Sequence, residues 1–283
     1  MRLRMLLNLL NSSSLEQSLI SVLCITTWEI PEAKGFYRLL GGSAMAWGLF
    51  YQERGELAQA QHNFEAAIQA FTRIQDLINL GRALNSLSLI CLQQQQPARS
   101  LAYSQAAVAI LEPGTAPQDY AFAVYQLGVS HLREGQLAQA ESCLERALSL
   151  YDQLQAPLLE SQVLLRLGEL YAQQEVVLFA LACYEAALDN LLLHDEKGEC
   201  KALLIDVLRT LAIFCQETEQ EGWANLAYQD VLNHFLALDK QAQAIQIFRR
   251  LGAIHESQQR YRLALECYEY ALRVMPVTSS IQF

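Results

Sequence analysis

Residues 125–147 read YQLGVSHLREGQLAQAESCLERA, and forty residues later residues 165–187 read LRLGELYAQQEVVLFALACYEAA. Each stretch has Leu-Gly near its start, at Gly128 or Gly168, followed by an Ala twelve residues after the Gly and another nineteen residues after it. Self-similarity at a fixed period of roughly 20–50 residues is the signature of repeat architectures. The two stretches therefore predict a chain that is built from stacked copies of one unit.

The same pattern extends in both directions and gives six copies in phase. The residues at the Gly position, here called the anchors, are Gly48, Ser88, Gly128, Gly168, Ala212 and Gly252. Their spacings are 40, 40, 40, 44 and 40 residues. The second and fifth copies are degenerate, because Ser88 and Ala212 replace the Gly. The four extra residues fall between the fourth and fifth copies.

Each copy predicts two amphipathic helices. The first contains Leu-Gly-x-x-Tyr, and the second contains Ala-x-x-x-Phe-x-x-Ala, whose three named positions lie on one helix face. The small anchor predicts a close approach of the paired helix. Gly55 and Gly135 indicate the turn within a pair, and Pro117 and Pro157 indicate the first turn of a following helix. A helix pair cannot bury its apolar face alone, so the pairs are expected to stack.

The pattern resembles the tetratricopeptide repeat (TPR) family, W-x2-L-G-x2-Y…A-x3-F…P, over about residues 37–276. The resemblance implies an all-α, right-handed solenoid of stacked antiparallel helix pairs. The 40-residue period is similar to the extended TPRs of some bacterial regulators and adaptor proteins, and the Gln-rich, Lys-poor composition resembles that of cyanobacterial proteins. We expect N-terminal capping helices or a degenerate repeat at 1–40, six repeats at 41–276 and a short tail at 277–283.

Composition restricts the function classes. Apolar residues make up 52% of the 283 residues, which excludes global disorder, and a net charge of −10 opposes nucleic-acid binding. No apolar run reaches the roughly 18 residues that suggest a membrane span, so no transmembrane segment is expected. Peripheral membrane association through the apolar N-terminus stays open. Seven Cys without CxxC pairs favour a reduced, cytoplasmic protein.

Most cysteines and two histidines have a packing explanation from the repeat. The cysteines at repeat positions are Cys91, Cys143, Cys183, Cys215 and Cys267, and the histidines in the Tyr position are His131 and His255. Cys24 and Cys200 have no such explanation. The segment from His194 to Cys200 contains metal-ligand residue types without a closed spacing motif, so it is interpreted as a solvated loop.

No phosphate-binding Gly loop, HExxH or G-x-S-x-G occurs in the sequence. We therefore predict no catalytic residue, no cofactor and no metal site, and a protein that is not an enzyme. An enzyme or enzyme subunit with a catalytic centre hidden in the helices is the alternative.

The TPR resemblance implies that a partner binds in a concave groove lined by the first helix of each repeat. The candidate partner-binding residues are Arg82, Asn85, Phe122, Tyr125, Gln126, Arg166, Arg209, Arg249 and Arg250. The groove as a whole changes from apolar and aromatic toward basic along the chain, which predicts an extended peptide with acidic and apolar parts. Local i,i+3 pairs, Arg166 with Glu169 and Asp206 with Arg209, are the alternative explanation.

Arg249 and Arg250 have no acidic residue three or four positions away, so they are the strongest candidates for contact with a ligand. The Lys/Asn carboxylate clamp of chaperone-binding TPRs is absent from these positions, which disfavours a chaperone co-factor. The sequence also predicts that Leu265, Tyr268 and Leu272 of the last helix lack a later repeat to pack on. Self-association or a bound partner is expected there.

The resulting prediction is a protein–protein interaction scaffold or adaptor. Two alternatives stay open: an assembly factor for a membrane complex, including a photosynthetic one, and a peptide- or partner-responsive bacterial regulator. The partner itself is not identified by the sequence.

Overall fold

The computed structural model describes residues 31–194, 201–218, 221–237 and 240–274, and all regular secondary structure within these ranges is helical. The helices are α1 (Pro31–Glu53), α2 (Leu57–Ile74), α3 (Leu77–Gln93), α4 (Pro97–Ile110), α5 (Pro117–Arg133), α6 (Leu137–Gln153), α7 (Pro157–Gln173), α8 (Val177–His194), α9 (Lys201–Glu217), α10 (Glu221–Ala237), α11 (Gln241–Ser257) and α12 (Tyr261–Val274). The odd-numbered helices are the first of each pair and are called A helices below. The even-numbered ones are called B helices.

Several expectations fall on residues that lie outside the described ranges: the first 30 residues of the N-terminal segment, Cys24, Cys200, the loop after His194, the last two residues of the sixth repeat and the tail. The expected boundary at residue 40 falls inside α1, which begins at Pro31 and is continuous through Glu53.

The predicted period is confirmed by the helix boundaries. α3, α5 and α7 begin at Leu77, Pro117 and Pro157, forty residues apart, and α9 begins 44 residues after α7. Pro117 and Pro157 both occupy the first turn of their helices, as predicted, because a proline there loses no intrahelical hydrogen bond.

The anchors lie where the two helices of a pair pack closest, which confirms the register. Each anchor Gly meets the side chain sixteen residues later. A Cβ at Gly48 would lie 2.5 Å from Phe64, one at Gly128 would lie 2.9 Å from Leu144, and one at Gly252 would lie 2.6 Å from Tyr268. Such separations are too short for a real Cβ, so a side chain at the anchor would displace a core ring or leucine.

The degenerate second copy keeps the same geometry with hydroxyl groups. Ser88 occupies the anchor and Ser100 occupies the first Ala position, and both are fully buried. Their Oγ atoms are hydrogen-bonded at 2.8 Å, while Ser104 Oγ donates to the backbone carbonyl of Ser100 at 3.0 Å. The hydroxyls are thus satisfied inside the core, so serine can substitute for Gly and Ala here.

The turns within and between helix pairs each contain a residue in the left-handed region of backbone conformation. Gly55 and Gly135 have φ of 74°, which confirms them as the turn residues of their pairs. Non-glycine residues adopt the same region elsewhere, at Gln75, Gln95, Gln155, Glu175 and Gln259. The turn geometry is therefore repeated even where glycine, which adopts it at least cost, is absent.

The chain forms two compact units, Met1–Leu111 and Glu112–Phe283. In the first, Phe64, Leu87 and Ile90 are completely buried around Ala60. In the second, one continuous core runs from Leu165 to Ala271 and includes buried side chains of α8 through α12. The predicted Ala positions are buried in both units, as in Ala60, Ala140 and Ala180.

Candidate partner-binding surface

The first unit contributes two candidate residues on α3, Arg82 and Asn85. Asn85 is buried, whereas Arg82 is exposed and donates a long hydrogen bond of 3.5 Å to Asn79 Oδ1. The two residues are three positions apart on one helix, yet only Arg82 is accessible to a partner.

Helix α5 of the second unit holds Phe122, Tyr125 and Gln126. Phe122 is half-buried, and its ring lies beside that of Tyr125 with a centroid separation of 6.2 Å. Tyr125 and Gln126 are buried, and Gln126 Oε1 accepts no hydrogen bond from the described residues. Of the three, Phe122 offers a partner the most surface.

Arg166 on α7 lies in an internal network. It forms an ion pair with Glu169 on the same helix and hydrogen-bonds the hydroxyl of Tyr125 on α5. Burial disfavours the charged form, but the Glu169 carboxylate and Tyr125 outweigh it and raise the pKa of the Arg166 guanidinium. Glu169 also lies 3.7 Å from the guanidinium of Arg133, the last residue of α5. The network therefore ties α5 to α7.

Arg209 on α9 is also paired internally, at 3.1 Å from Asp206. Its Nε atom is buried and has no hydrogen-bond partner in the part of the chain that the structure describes. On α11, His255 is completely buried. Burial, with the positive charges of Arg260 and Arg209, lowers the pKa of His255 to about 4. Arg209 thus lies close enough to α11 for its positive charge to contribute to the lowered pKa of the buried His255.

Arg249 and Arg250 on α11 differ from the other candidate arginines of this unit. Both are exposed, and neither forms an ion pair or a side-chain hydrogen bond with any residue in the described ranges. Glu256 is the only acidic residue of α11, and its Oε2 accepts a hydrogen bond of 2.8 Å from Tyr268. The Arg249 charge acts on the Tyr268 hydroxyl, but no carboxylate of α11 forms an ion pair with either guanidinium.

The local-pairing explanation is correct for Arg166 and Arg209, since both predicted i,i+3 ion pairs form. The sequence did not identify the contacts between helices. Glu169 joins Arg133 to Arg166, and Glu141 on α6 accepts hydrogen bonds from Tyr171 at 3.1 Å and from Gln174 at 3.4 Å. No local spacing signals these pairs, because the partners are some 30 residues apart.

The described thiols are packing groups. Cys91, Cys143, Cys183, Cys215 and Cys267 are all free. Burial raises the pKa of Cys183 to about 11 and that of Cys267 to about 12, so both are weak nucleophiles at neutral pH. His131, in a Tyr position, bonds through Nδ1 to Gln136 Oε1 at 2.6 Å. Cys91, Cys215 and Cys267 are buried, as the packing interpretation predicts, whereas Cys143 and Cys183 are half-buried.

Two further findings concern metals and membranes. Within the described residues, no group of three or more His, Cys, Asp or Glu side chains is placed to hold a metal ion. By length and composition alone, α8 could cross a membrane, contrary to the expectation from apolar runs. Six of its residues are buried, and it packs against α7 and α9 as a helix of the core.

Comparison with known proteins supports the repeat assignment. Residues 125–191 match a family model described as "Tetratricopeptide repeat". No curated protein matches the sequence. Among solved structures, the apo form of RapI is 13% identical with a TM-score of 0.57, over 91% of this chain and 88% of that one.

Two other Rap structures are similar. A Rap protein complexed with Competence and Sporulation Factor is 12% identical, with a TM-score of 0.56, over 80% of this chain and 72% of that one. The Rap conjugation gene regulator of the plasmid pLS20, solved with a peptide, is 13% identical, with a TM-score of 0.53, over 82% and 72%. Such identities show the fold alone. The resemblance to TPR proteins and the all-α solenoid class are confirmed.

Proposed function

We propose that this chain is a non-enzymatic interaction protein that binds an extended, partly acidic segment of another protein on the A helices of its second unit. TPR folds present helix faces to partner segments, and function must come from the particular residues on those faces. The free thiols of the described cysteines support a reducing, cytoplasmic setting.

The observation that carries the proposal is the contrast between the candidate arginines. Arg166 and Arg209 are neutralised by Glu169 and Asp206 on their own helices. Arg249 and Arg250 have no such partner among the described residues, in a chain whose net charge is −10. Two adjacent, exposed cations that form no ion pair within the described part of the chain offer a site for an external carboxylate.

The chemistry of the guanidinium group indicates the ligand. Its planar donors match a carboxylate with two parallel hydrogen bonds, so Asp, Glu or a C-terminal carboxylate would fit Arg249 and Arg250. Exposed Gln246 and Ala253 flank them on α11 and add no opposing charge. On α5, half-buried Phe122 can contact an apolar part of the same segment.

The proposal is tested by purifying the chain with its bound partner from native extract and measuring the affinity of that partner for variants. Arg249→Ala with Arg250→Ala should weaken binding at least about tenfold, and the loss should shrink at high salt, because charge-assisted hydrogen bonds are worth about 1.5–3 kcal/mol and screening reduces them. Phe122→Ala should weaken binding without this salt dependence.

The matched control is Arg54→Ala with Arg99→Ala, which removes the same charge from the first unit. Arg54 pairs with Glu56, and Arg99 donates to Gln96, so neither guanidinium is unoccupied. This control should bind as the parent protein does. Equal binding by the parent and the Arg249/Arg250 double variant would refute the proposal.

A second candidate function is that of a peptide-responsive regulator. It is favoured by the similarity of the fold to a Rap regulator that was solved with a peptide. In that case a short peptide should displace the larger partner from the purified complex, whereas a scaffold would keep its partner bound. Size-exclusion chromatography of the complex with and without peptides from the native extract distinguishes the two.

A further inference from the structure

Helix α1 exposes aromatic side chains on a side that later A helices bury. Trp47 is 52% exposed and Phe50 is 43% exposed, and their rings meet edge to face at a centroid separation of 5.6 Å. Trp47 also stacks on Tyr51 at a centroid separation of 5.9 Å. Exposed Ser43 lies four residues before Trp47 and seven before Phe50, so the three residues share one side of the helix. We call Ser43, Trp47 and Phe50 the open face of α1.

The equivalent positions of other A helices are inaccessible to water. In α3, forty residues later, they are Ala83, Leu87 and Ile90, which are all 0% exposed. They are buried in α7 and α9 as well, where the residues are Val163, Leu167, Leu170, Val207, Leu211 and Phe214. The open face of α1 therefore departs from the repeat, because no element within the described ranges covers it.

The element that covers this face in later repeats is the B helix just before the A helix in the chain. Leu87 and Ile90 of α3 belong to one buried cluster with Phe64 of α2. Phe214 of α9 contacts Tyr184 of α8, with 5.8 Å between the ring centroids. Phe64 and Tyr184 both lie sixteen residues after the anchor of the preceding repeat. The element expected to cover α1 is accordingly the segment that precedes it.

The sequence before α1, which lies outside the described ranges, continues the repeat. Forty residues before Gly48 stands Asn8, and it is preceded by Leu7, as most anchors are preceded by Leu. Twenty residues after the anchor every repeat has an apolar residue, and after Asn8 this residue is Trp28. In the six repeats it is Ile68, Val108, Leu148, Leu188, Leu232 and Leu272. Leu188 lies in the core shared with α9, so Trp28 occupies a position that faces the next A helix.

Two positions that depart from the pattern compensate each other in size. Asn8 is larger than the Gly of most repeats, and Cys24, sixteen residues later, is smaller than the Phe, Tyr or Leu of most repeats. The second repeat makes the same exchange with Ser88 and Ser104, and both are fully buried. A close-packed interior tolerates substitutions that conserve total volume, so Asn8 and Cys24 fit a degenerate repeat.

We propose that residues 17–28 form the B helix of a seventh, degenerate repeat and cover the open face of α1. Cys24 lies against Phe50, in the manner of the ring pair between α8 and α9. Trp28 extends the apolar contact to Trp47. The open face is then an internal surface of the chain and not a site for another protein.

The length of the segment and its attachment to α1 favour it over a separate molecule. α2 begins nine residues after its anchor, at the position that corresponds to Gln17, and two residues join α2 to α3. Two residues, Glu29 and Ile30, likewise separate Trp28 from the start of α1 at Pro31. A segment tethered so close to the surface that it covers has a high effective concentration there, so a second copy or another protein would have to displace it.

The native thiol of Cys24 tests the proposal. In the full-length chain we expect Cys24 to react with iodoacetamide at least about tenfold more slowly than the thiol introduced by Val22→Cys, because buried cysteines are inert. Position 22 corresponds to the exposed His62 of α2. Mass spectrometry assigns the alkylation to each cysteine, at several protein concentrations. Equal rates for the two thiols, or protection of Cys24 that appears only at high concentration, would overturn the proposal.

The contact is tested from the side of α1 as well. Trp47→Glu with Phe50→Glu should raise the alkylation rate of Cys24 to that of the exposed thiol, because charged groups replace its apolar cover. The helical circular dichroism signal should be largely retained, since both positions are exposed in the described structure. Leu49→Glu, at an exposed position one residue away, is the matched control and should leave Cys24 protected. If Cys24 stays protected in the double variant, the segment packs elsewhere and the proposal is wrong.

Tryptophan fluorescence gives the reciprocal measurement. Trp28→Phe with Trp223→Phe leaves Trp47 as the single tryptophan of the chain. We expect its emission to be protected from quenching by acrylamide. Addition of Cys24→Asp should remove the protection, whereas addition of Val22→Asp should not. Free quenching of Trp47 before either addition would contradict the proposal, because the open face would then be in contact with solvent.

Discussion

A single contact recurs through the molecule: the anchor of an A helix against the side chain sixteen residues later on its B helix. At Gly168 that side chain is Tyr184, which is fully buried and whose ring also contacts Phe214 at a centroid separation of 5.8 Å. The ring cannot move away without disturbing α9. The anchor is therefore small because of packing. The conformational freedom of glycine is not needed at this position, because the residue lies in a regular helix.

Enlarging the anchor should destabilise the protein. Gly168→Leu is expected to lower the free energy of unfolding by about 1–3 kcal/mol, because its side chain would overlap the Tyr184 ring. Gly42→Ala is the control, since a Cβ there meets nothing within 4 Å, and it should raise stability by about 0.5–1 kcal/mol through helix propensity. Thermal and urea denaturation measure both. An unchanged midpoint for Gly168→Leu would contradict the observed register.

His255 predicts a pH dependence of stability. It is buried without a hydrogen bond from the described residues, and burial together with Arg260 and Arg209 lowers its pKa from 6.5 to about 4. Between these values the unfolded chain binds a proton that the folded chain does not. Stability should therefore fall as the pH drops from about 6.5 to about 4.

Urea denaturation at several pH values in this window tests the histidine. His255→Leu should make the decline in stability shallower, because it removes a group that takes up a proton on unfolding. His62→Gln, at an exposed position of α2, should leave the slope as in the parent. Identical slopes for the parent and His255→Leu would show that His255 does not account for the dependence.

At the scale of elements, the turns between helices contain a residue in the left-handed conformation at equivalent positions of the repeat. Gly55 and Gly135 adopt it at little cost, whereas Gln95 has φ of 57° in the turn between α3 and α4. A side chain in this region is disfavoured by the clash of Cβ with the following carbonyl. The turn is retained at Gln95 because packing of the two helices determines where the chain must reverse.

Gln95→Gly should therefore stabilise the protein by about 0.5–1 kcal/mol through relief of the backbone conformation. The greater conformational entropy of glycine in the unfolded chain offsets part of this gain. Gln94 has an ordinary φ of −82°, so the same exchange there should destabilise by a similar amount. Thermal denaturation of the two variants should give shifts of opposite sign. Shifts of the same sign would mean that backbone strain at Gln95 is negligible.

At the scale of the whole molecule, a stack of helix pairs makes contacts mainly between neighbours. Stability is then a sum of local terms rather than the property of one core. One cluster of buried residues in the second unit consists of side chains of α7 to α12, whereas Phe64 and Leu87 belong to a separate cluster in the first unit.

Damage should accordingly remain local. We expect Gly168→Leu to increase amide hydrogen exchange in α7, α8 and α9 while the amides of α1 and α2 keep the protection of the parent. Mass-spectrometric hydrogen exchange on both proteins measures this. A uniform loss of protection along the chain would indicate that the molecule unfolds as one cooperative body.

The sequence by itself determined the period, the helix pairs, the anchor contacts and the packing roles of the repeated Cys and His, because these depend on spacings that a regular helix converts directly into faces. It also predicted the i,i+3 ion pairs of Arg166 and Arg209 and the exposure of Leu265 and Leu272. These are local or positional properties. A residue's place in the repeat is sufficient to infer them.

Only the tertiary structure decided which candidate groove residues are accessible and which groups pair across helices. Asn85 and Tyr125 share the register of the exposed Arg249, and Gln126 shares that of the exposed Arg250, yet all three are buried, because their neighbours in the stack cover them. Glu169 joins Arg133 to Arg166 only because α5 and α7 lie side by side. Such contacts depend on the distance and angle between stacked helices, and no spacing along one helix contains that information.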